Sequence, residues 1–414
     1  MPTPKLRFKE FDGDWSQVKL KDLVLSLDAG VSVNGEDVSV TEDDFSVLKT
    51  SCVSLGTFNP DERKKVTLEH EILRLKEPLL NNSLVMNRSN TPLLVASSAF
   101  IRNAPKKTYL SDKLWQFKVN QNANIQWIAF HLSNETTLIK LRDMATGTSN
   151  SMKNITKPDV LNFDLIAPSK SEQTKIASFL SAVDEKISQL TQKHALLSQY
   201  KQGMMQKLFS QQIRFKADDG SEFGEWEERK LSEISQKAMY GMNAAATEYD
   251  GINKYLRITD ICEFSNSFKK DNLTSPNAEL FDRYKLQLGD LLFARTGASV
   301  GKSYLYREDD GITYFAGFLI KFSLNTNLVI PYFIFLQTLT KEFCQWVVTN
   351  SMRSGQPGIN AEEYSSYIFK VPCLEEQTKI ANFLSSIDQK IEVVAQQIEQ
   401  AKQWKKGLLQ QMFV

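Results

Sequence analysis

Histidine and cysteine are scarce in this chain: three of the first and four of the second among 414 residues. Cys52, Cys262, Cys344 and Cys373 lie far apart, form no Cys-x-x-Cys pair and have only His70, His131 and His194 to join them. That argues against a disulfide framework or a zinc site, and fits a reducing, cytoplasmic setting. Charge of one sign is lacking too, because 50 basic and 49 acidic residues leave a formal +1. A DNA-binding role would therefore need local basic surface, or partners that supply charge. The longest apolar run, Leu328 to Leu336, is broken by Pro331 and reads as buried core, not as a membrane span. The opening Met1 to Arg7 lacks the apolar heart of a signal peptide. Also missing are an Asn-Pro-Pro-Tyr-like methyltransferase loop, a Gly-x-Gly-x-x-Gly turn after a strand and a metal-binding His pair. Any chemistry is expected to belong to a partner, so the chain is read as no enzyme, with no catalytic residue and no metal.

What the chain does have is a long repeat. Residues 172–187 return 204 positions later as residues 376–391 with twelve of sixteen identical, which means duplication. In each copy apolar residues alternate four and three apart: Ile176, Leu180, Val183, Ile187, Leu190 and Leu197, then Ile380, Leu384, Ile387, Ile391, Val394 and Ile398. This is a coiled-coil seam over about four heptads. Pro168 and Pro372 precede the two stretches, and Ser169 with Glu172 fits a capping box. Helices are expected within 169–210 and 373–414, roughly 39 residues each and so a rod of about 58 Å at 1.5 Å per residue. His194 falls on the seam, and Lys201 and Lys405 interrupt it, either snorkelling or marking where the pair opens to admit another subunit.

Two heads precede the rods, over 1–168 and 211–372. With 42% apolar residues, both can hold packed cores. In the first, residues 93–96, 114–119 and 125–132 are the clearest ordered pieces, while 81–83 and 146–150 read as loops. The heads differ except at their edges: Arg7-Phe8-Lys9 returns as Arg214-Phe215-Lys216, Trp15 and Leu20 as Trp226 and Leu231, Ile155 and Pro168 as Ile359 and Pro372. The fold expected is α+β: two globular domains separated by two long helices that form an antiparallel coiled coil with a pseudo-twofold repeat. Such an axis would send the heads to opposite ends of the rods. Like rods and unlike heads imply one docking task and two targets.

The stretch Gly297 to Ser303 falls one residue short of a phosphate-binding loop, so a nucleotide cradle is not expected. It reads instead as a glycine-flexed loop that can approach a phosphate backbone, with Arg295, Thr296, Ser299 and Lys302 as contacts, or as a plain surface hairpin. In the first head an apolar strand runs into Asn87-Arg88-Ser89-Asn90, types that read base edges but are equally at home in turns. Arg353, Ser354 and Gln356 form a comparable loop in the second head, and Thr148 with Lys153 holds the matching place in the first. Lys106-Lys107 and Lys269-Lys270 complete the candidates, with solvated surface as the alternative.

The Glu-Gln-x-Lys-Ile-Ala-x-Phe-Leu-Ser-x-x-Asp-x-Lys-Ile rods, the run from Gly289 to Gly297 and the terminal Lys405 to Phe413 resemble the specificity subunit of type I restriction-modification systems. The likeness covers the whole chain. The first head departs from the pattern, with Asn82-Ser83 where Gly-Asp is common and Ser169-Lys170-Ser171 for Pro-Leu-Glu. The resemblance implies two target-recognition domains, each reading half of a split site in double-stranded DNA. It further implies that the rods bind two methyltransferase subunits, which recruit restriction and translocase subunits. S-adenosylmethionine, ATP and Mg2+ would belong to those partners.

Overall fold

The heptad repeats become two continuous helices, Lys170–Phe209 and Leu374–Met412, in a computed structural model that describes residues 3–149, 151–263, 265–352 and 356–414. The chain divides into two compact units, Met1–Thr191 with Gln396–Val414 and Gln192–Ala395. The division falls inside the rods, so each unit holds one head, half of one rod and half of the other.

In the first unit, Val24–Ala29, Leu114–Val119, Ser83–Asn87 and Ser98–Ile101 form a four-stranded antiparallel sheet in that order. Helices Ile125–Ser133 and Glu135–Asp143 follow. Strand Ser16–Lys19 pairs with Asp164–Ala167, which leads into the rod. Trp15, Phe117, Trp127, Ile176, Leu180, Leu408, Met412 and Phe413 share one core. Each large apolar side chain fully buried there stabilises the fold by about 1.5–3 kcal/mol. Two expectations fail. Residues 93–96 are a turn with Leu93 exposed, because Ala96 takes a left-handed φ of 59° that ends regular structure. The supposed loop at 146 is instead strand Thr146–Ser149, paired with Met152–Asn154.

The second unit repeats the plan. Its sheet runs Met239–Tyr240, Leu319–Ser323, Asp290–Ala294, Ser303–Leu305. Strand Glu227–Lys230 pairs with Ile368–Val371, and helix Pro331–Gln337 stands where Ile125–Ser133 does. Leu208, Phe209, Phe293, Phe322, Phe333, Ile380 and Leu384 share its core. Heads that diverge in sequence thus keep one frame.

Antiparallel pairing shows inside each unit. In the first, Asp184 meets Lys405 at 2.6 Å and Phe179 meets Trp404 edge-on at 6.0 Å, while the leading residue Ile176 shares its core with the trailing Met412. In the second, Lys201 meets Asp388 at 2.6 Å and Leu208 shares its core with Ile380. Ile176, Leu180, Val183, Leu190, Ile380, Leu384, Ile387 and Val394 are buried. Ile187, Leu197, Ile391 and Ile398 are half-buried, as is His194. Lys201 and Lys405 are half-buried, and each is held by the aspartate of the opposite repeat.

The capping box is only half made. The Glu172 amide donates to Ser169 Oγ at 3.4 Å, but the Glu172 carboxylate turns inward. It is buried and accepts from Arg7 Nε at 2.8 Å and from the Trp15 indole at 3.2 Å. Glu376 repeats this with Arg214 Nε at 3.0 Å and Trp226 at 3.1 Å. The following Gln173 and Gln377 are also buried, each donating to the carbonyl of the preceding proline, Pro168 or Pro372. The conserved edges of the heads and the first two residues of the repeat are one buried lock.

Candidate nucleic-acid interface

One inner strand of each sheet, Ser83–Asn87 or Asp290–Ala294, runs directly into an arginine, and the two arginines occupy the same place. The strand starts after a residue in the left-handed region, Gly289 at φ 89° and Asn82 at φ 53°, which explains how Asn82 replaces the glycine. Asp290 then accepts the Gln287 amide at 2.8 Å, and Ser83 Oγ donates to the Leu80 carbonyl at 2.7 Å. At the far end, the Arg88 amide donates to Lys113 O and its carbonyl accepts from the Ile155 amide, both at 3.0 Å. The Arg295 amide donates to Phe318 O at 3.1 Å and its carbonyl accepts from Ile359 at 2.9 Å. The isoleucine pair that survives at the 204 offset is therefore the pin behind each arginine.

Both side chains are half-buried on aromatic faces. The Arg88 guanidinium lies 6.0 Å from the Trp115 ring centre, and that of Arg295 lies 5.0 Å from Tyr240. Neither has a carboxylate partner among the described residues, and Arg295 Nε is buried without a hydrogen bond. A guanidinium over a ring with unspent donors suits bidentate recognition of guanine or of a phosphate.

Around Arg295 the second unit gathers three pieces. Thr296 bridges to Gly358, the Gly297 amide donates to Pro357 O at 3.0 Å, and the Tyr240 hydroxyl accepts the Ala361 amide at 3.2 Å. Gln356 is exposed beside Gly297, where a Cβ would come within 3.2 Å of its amide nitrogen at a φ of 76°. Ser299 sits half-buried in the short turn that follows. Arg353 and Ser354 lie outside the described residues. In the first unit, Lys153 flanks Arg88 from the adjoining small sheet and donates to Gly147 O at 3.2 Å. The backbone of Thr148 belongs to that same sheet.

Of the other candidates, Asn87, Ser89, Asn90 and Lys302 are spent on the fold, whereas Lys106, Lys107, Lys269 and Lys270 stay exposed. Asn87, taken for a base reader, is fully buried with Nδ2 on Val53 O at 2.9 Å, and its counterpart in the second unit is the equally buried Ala294. Ser89 and Asn90 are buried in the strand that pairs with Met152–Asn154, and Asn90 Oδ1 accepts the next amide. Lys302, expected to anchor phosphate, has its ammonium on Ile261 O at 2.8 Å and on the Glu263 carboxylate at 2.6 Å, with a side chain only 8% exposed. Lys106 pairs with Glu42 at 3.0 Å, and Lys107 donates to Asp43 O at 2.9 Å. Lys269 donates to Thr259 O at 2.8 Å, and it and Lys270 are both exposed. No metal-binding cluster occurs among the described residues.

Sequence reasoning missed the rings under the arginines, Trp115 and Tyr240. It also missed Arg283, whose guanidinium lies 5.1 Å from the Phe281 ring centre and 4.8 Å from that of Tyr284. The interleaving in Phe281-Asp282-Arg283-Tyr284-Lys285 was a usable signal for the last.

Comparison with known proteins agrees over most of the chain. The family described as type I restriction modification DNA specificity domain matches twice, over residues 13–199 and 224–403. The type I restriction enzyme MjaVIII specificity subunit of Methanocaldococcus jannaschii is 25% identical over 347 residues, covering 80% of each chain. Among solved structures, the type I restriction-modification S subunit from M. genitalium aligns over 100% of this chain and 99% of its own, with a TM-score of 0.60 at 16% identity. A chain from a structure of complex assembly and conformational transition in the type I R-M system aligns over 98% of both, with a TM-score of 0.55 at 15% identity. At these identities the structural likeness speaks for the fold alone.

Proposed function

Because the chain belongs to the family of type I restriction modification DNA specificity domains, two of which fill most of its length, we propose that each unit reads one half of a bipartite duplex site through the arginine that directly follows this inner strand. The observation that carries this is the equivalence of Arg88 and Arg295: the same pins, an aromatic bed under each, no carboxylate beside either, and unlike side chains around them. A guanidinium meeting guanine in the major groove discriminates by about 1–3 kcal/mol, roughly five- to 150-fold in affinity.

In this reading the rods are spacer and dock. Leu196, Tyr200, Val393 and Trp404 are exposed on them, apolar surface of the sort two methyltransferase subunits would cover. Restriction and translocase subunits join through that complex, S-adenosylmethionine, ATP and Mg2+ are bound by those partners, and the chain itself does no chemistry. No helix among the described residues is long and apolar enough to cross a membrane, and the proposed setting is the cytoplasm, with the host DNA. Spent as it is on Glu263, Lys302 gives no support to a nucleotide-hydrolysing enzyme. Comparing methylated bases in host DNA with and without the gene tests the reading: loss of methylation at one asymmetric split sequence supports it, and an unchanged pattern contradicts it.

A further inference from the structure

The two units treat one equivalent place differently. In both, the buried glutamine of the repeat accepts a backbone amide at 2.8 Å, from Asn124 onto Gln173 and from Ile330 onto Gln377. Two residues later the chains diverge, to Gln126 in one unit and Tyr332 in the other. Tyr332 lies over the rod and donates its hydroxyl to Asp388, the aspartate that holds Lys201. Gln126 makes no such bond to the equivalent Asp184. The place stays open instead, as a cleft of about 750 Å³ in the first unit, lined by Gln126, Phe130, Leu138, Asp184, Lys402 and Leu409 among others.

The cleft has an apolar floor and surplus positive charge. Lys405 is held by Asp184 at 2.6 Å and Lys406 by Glu135 at 3.2 Å. Lys402 and Arg142, also on the lining, have no carboxylate partner among the described residues; Arg142 gives Nη2 to the Leu93 carbonyl and to Ser97 Oγ, and its Nε is buried without a hydrogen bond. At the equivalent rod positions of the second unit, Lys402 and Lys406 are replaced by Ser198 and Gln202. The side that is closed by its own tyrosine lacks these two rod lysines and has Arg307 near the tyrosine hydroxyl instead; the side that is open has both lysines.

We propose that this cleft receives an acidic segment of a partner protein, which inserts an aromatic side chain over Phe130 and Leu409 with a hydroxyl on Asp184 and sets carboxylates against Lys402 and Arg142. Tyr332 shows what fits, and the cations without carboxylate partners give the charge of its flanks. The inference rests on the reading that the chain works within a protein assembly.

The test titrates the full chain with a fluorescein-labelled Glu-Glu-Tyr-Glu-Glu peptide, its tyrosine-to-alanine counterpart and a five-nucleotide oligothymidine competitor. Saturable binding is expected for the first. It should weaken at least tenfold in Gln126→Tyr, which supplies the closing side chain of the other unit, in Lys402→Glu, a surface change that spares the core, and with the alanine peptide. No saturable binding, equal affinity for the alanine peptide, indifference to both variants, or displacement by oligothymidine would each overturn the proposal. Duplex retention measured on the same samples separates this outcome from failure of the DNA-reading assignment.

Discussion

A carboxylate buried at the start of each rod is the residue-scale hinge of the fold. Glu172 and Glu376 are nearly inaccessible, and each is neutralised by one bidentate arginine and one indole. Removing Arg7 or Arg214 leaves an uncompensated buried charge, which costs about 3–5 kcal/mol; Arg7→Ala should lower the urea midpoint of the first unit and Arg214→Ala that of the second. His131 lies buried, stacked on Trp127 at 5.3 Å and beside Phe413, and burial with some help from Lys140 pushes its pKa down to about 4. Its folded pKa lies below the unfolded value near 6.5, so its neutral form is favoured when folded. Stability is fully present above about pH 6.5 and falls as the pH drops toward 4, by about 3 kcal/mol at 1.36 kcal/mol per unit. Unfolding titrations across that window should show His131→Phe losing less stability on acidification than the parent; parallel losses would place the acid sensitivity elsewhere. Burial likewise pushes the Cys52 thiol up to about 12. A thiol reagent should therefore label exposed Cys344 and Cys373 in the native chain and reach Cys52 only on unfolding.

At the scale of elements, the rods hold two kinds of information. Their seam is interrupted by His194, Lys201 and Lys405, and each lysine is answered by the aspartate of the opposite repeat, so the two ion pairs fix register. Pairing Lys201 antiparallel with Asp388 leaves few other alignments without an unpaired charge in the seam. If the rods are the spacer between the two reading sites, their length sets the unread gap. One heptad inserted after Gln189 and one after Val393 keeps the seam in phase, since seven residues make nearly two turns. It lengthens the pair by about 10 Å, or roughly three base pairs of duplex. Selection from DNA with variable gaps should return the same two half-sites with a wider gap; the same gap with altered half-sites would remove the spacer role.

For the whole molecule, the sequence showed the duplication, because a 3.5-residue apolar period and a constant offset are written directly in residue order. The shared frame of the heads was not legible there. Frame positions such as Asn82 and Gly289, or Asn87 and Ala294, are set by φ and burial, which different side chains satisfy equally well. For the same reason Asn87 looked like a reader and is a core residue, while Lys302 looked like an anchor and is already paired. Arg88 and Arg295 stood out in sequence only as basic residues near polar loops; their equivalence emerges once the Ile155 and Ile359 amides are seen to pin the two carbonyls. The most direct test of the account is selection of binding sites from randomised duplex DNA by the full chain assembled with the methyltransferase subunits proposed to dock on its rods, comparing the parent with Arg88→Ala and Arg295→Ala. The account predicts that each variant relaxes base preference in one half-site and leaves the other intact, a different half for each; relaxation of the same half by both, or a uniform loss on every sequence, would contradict it.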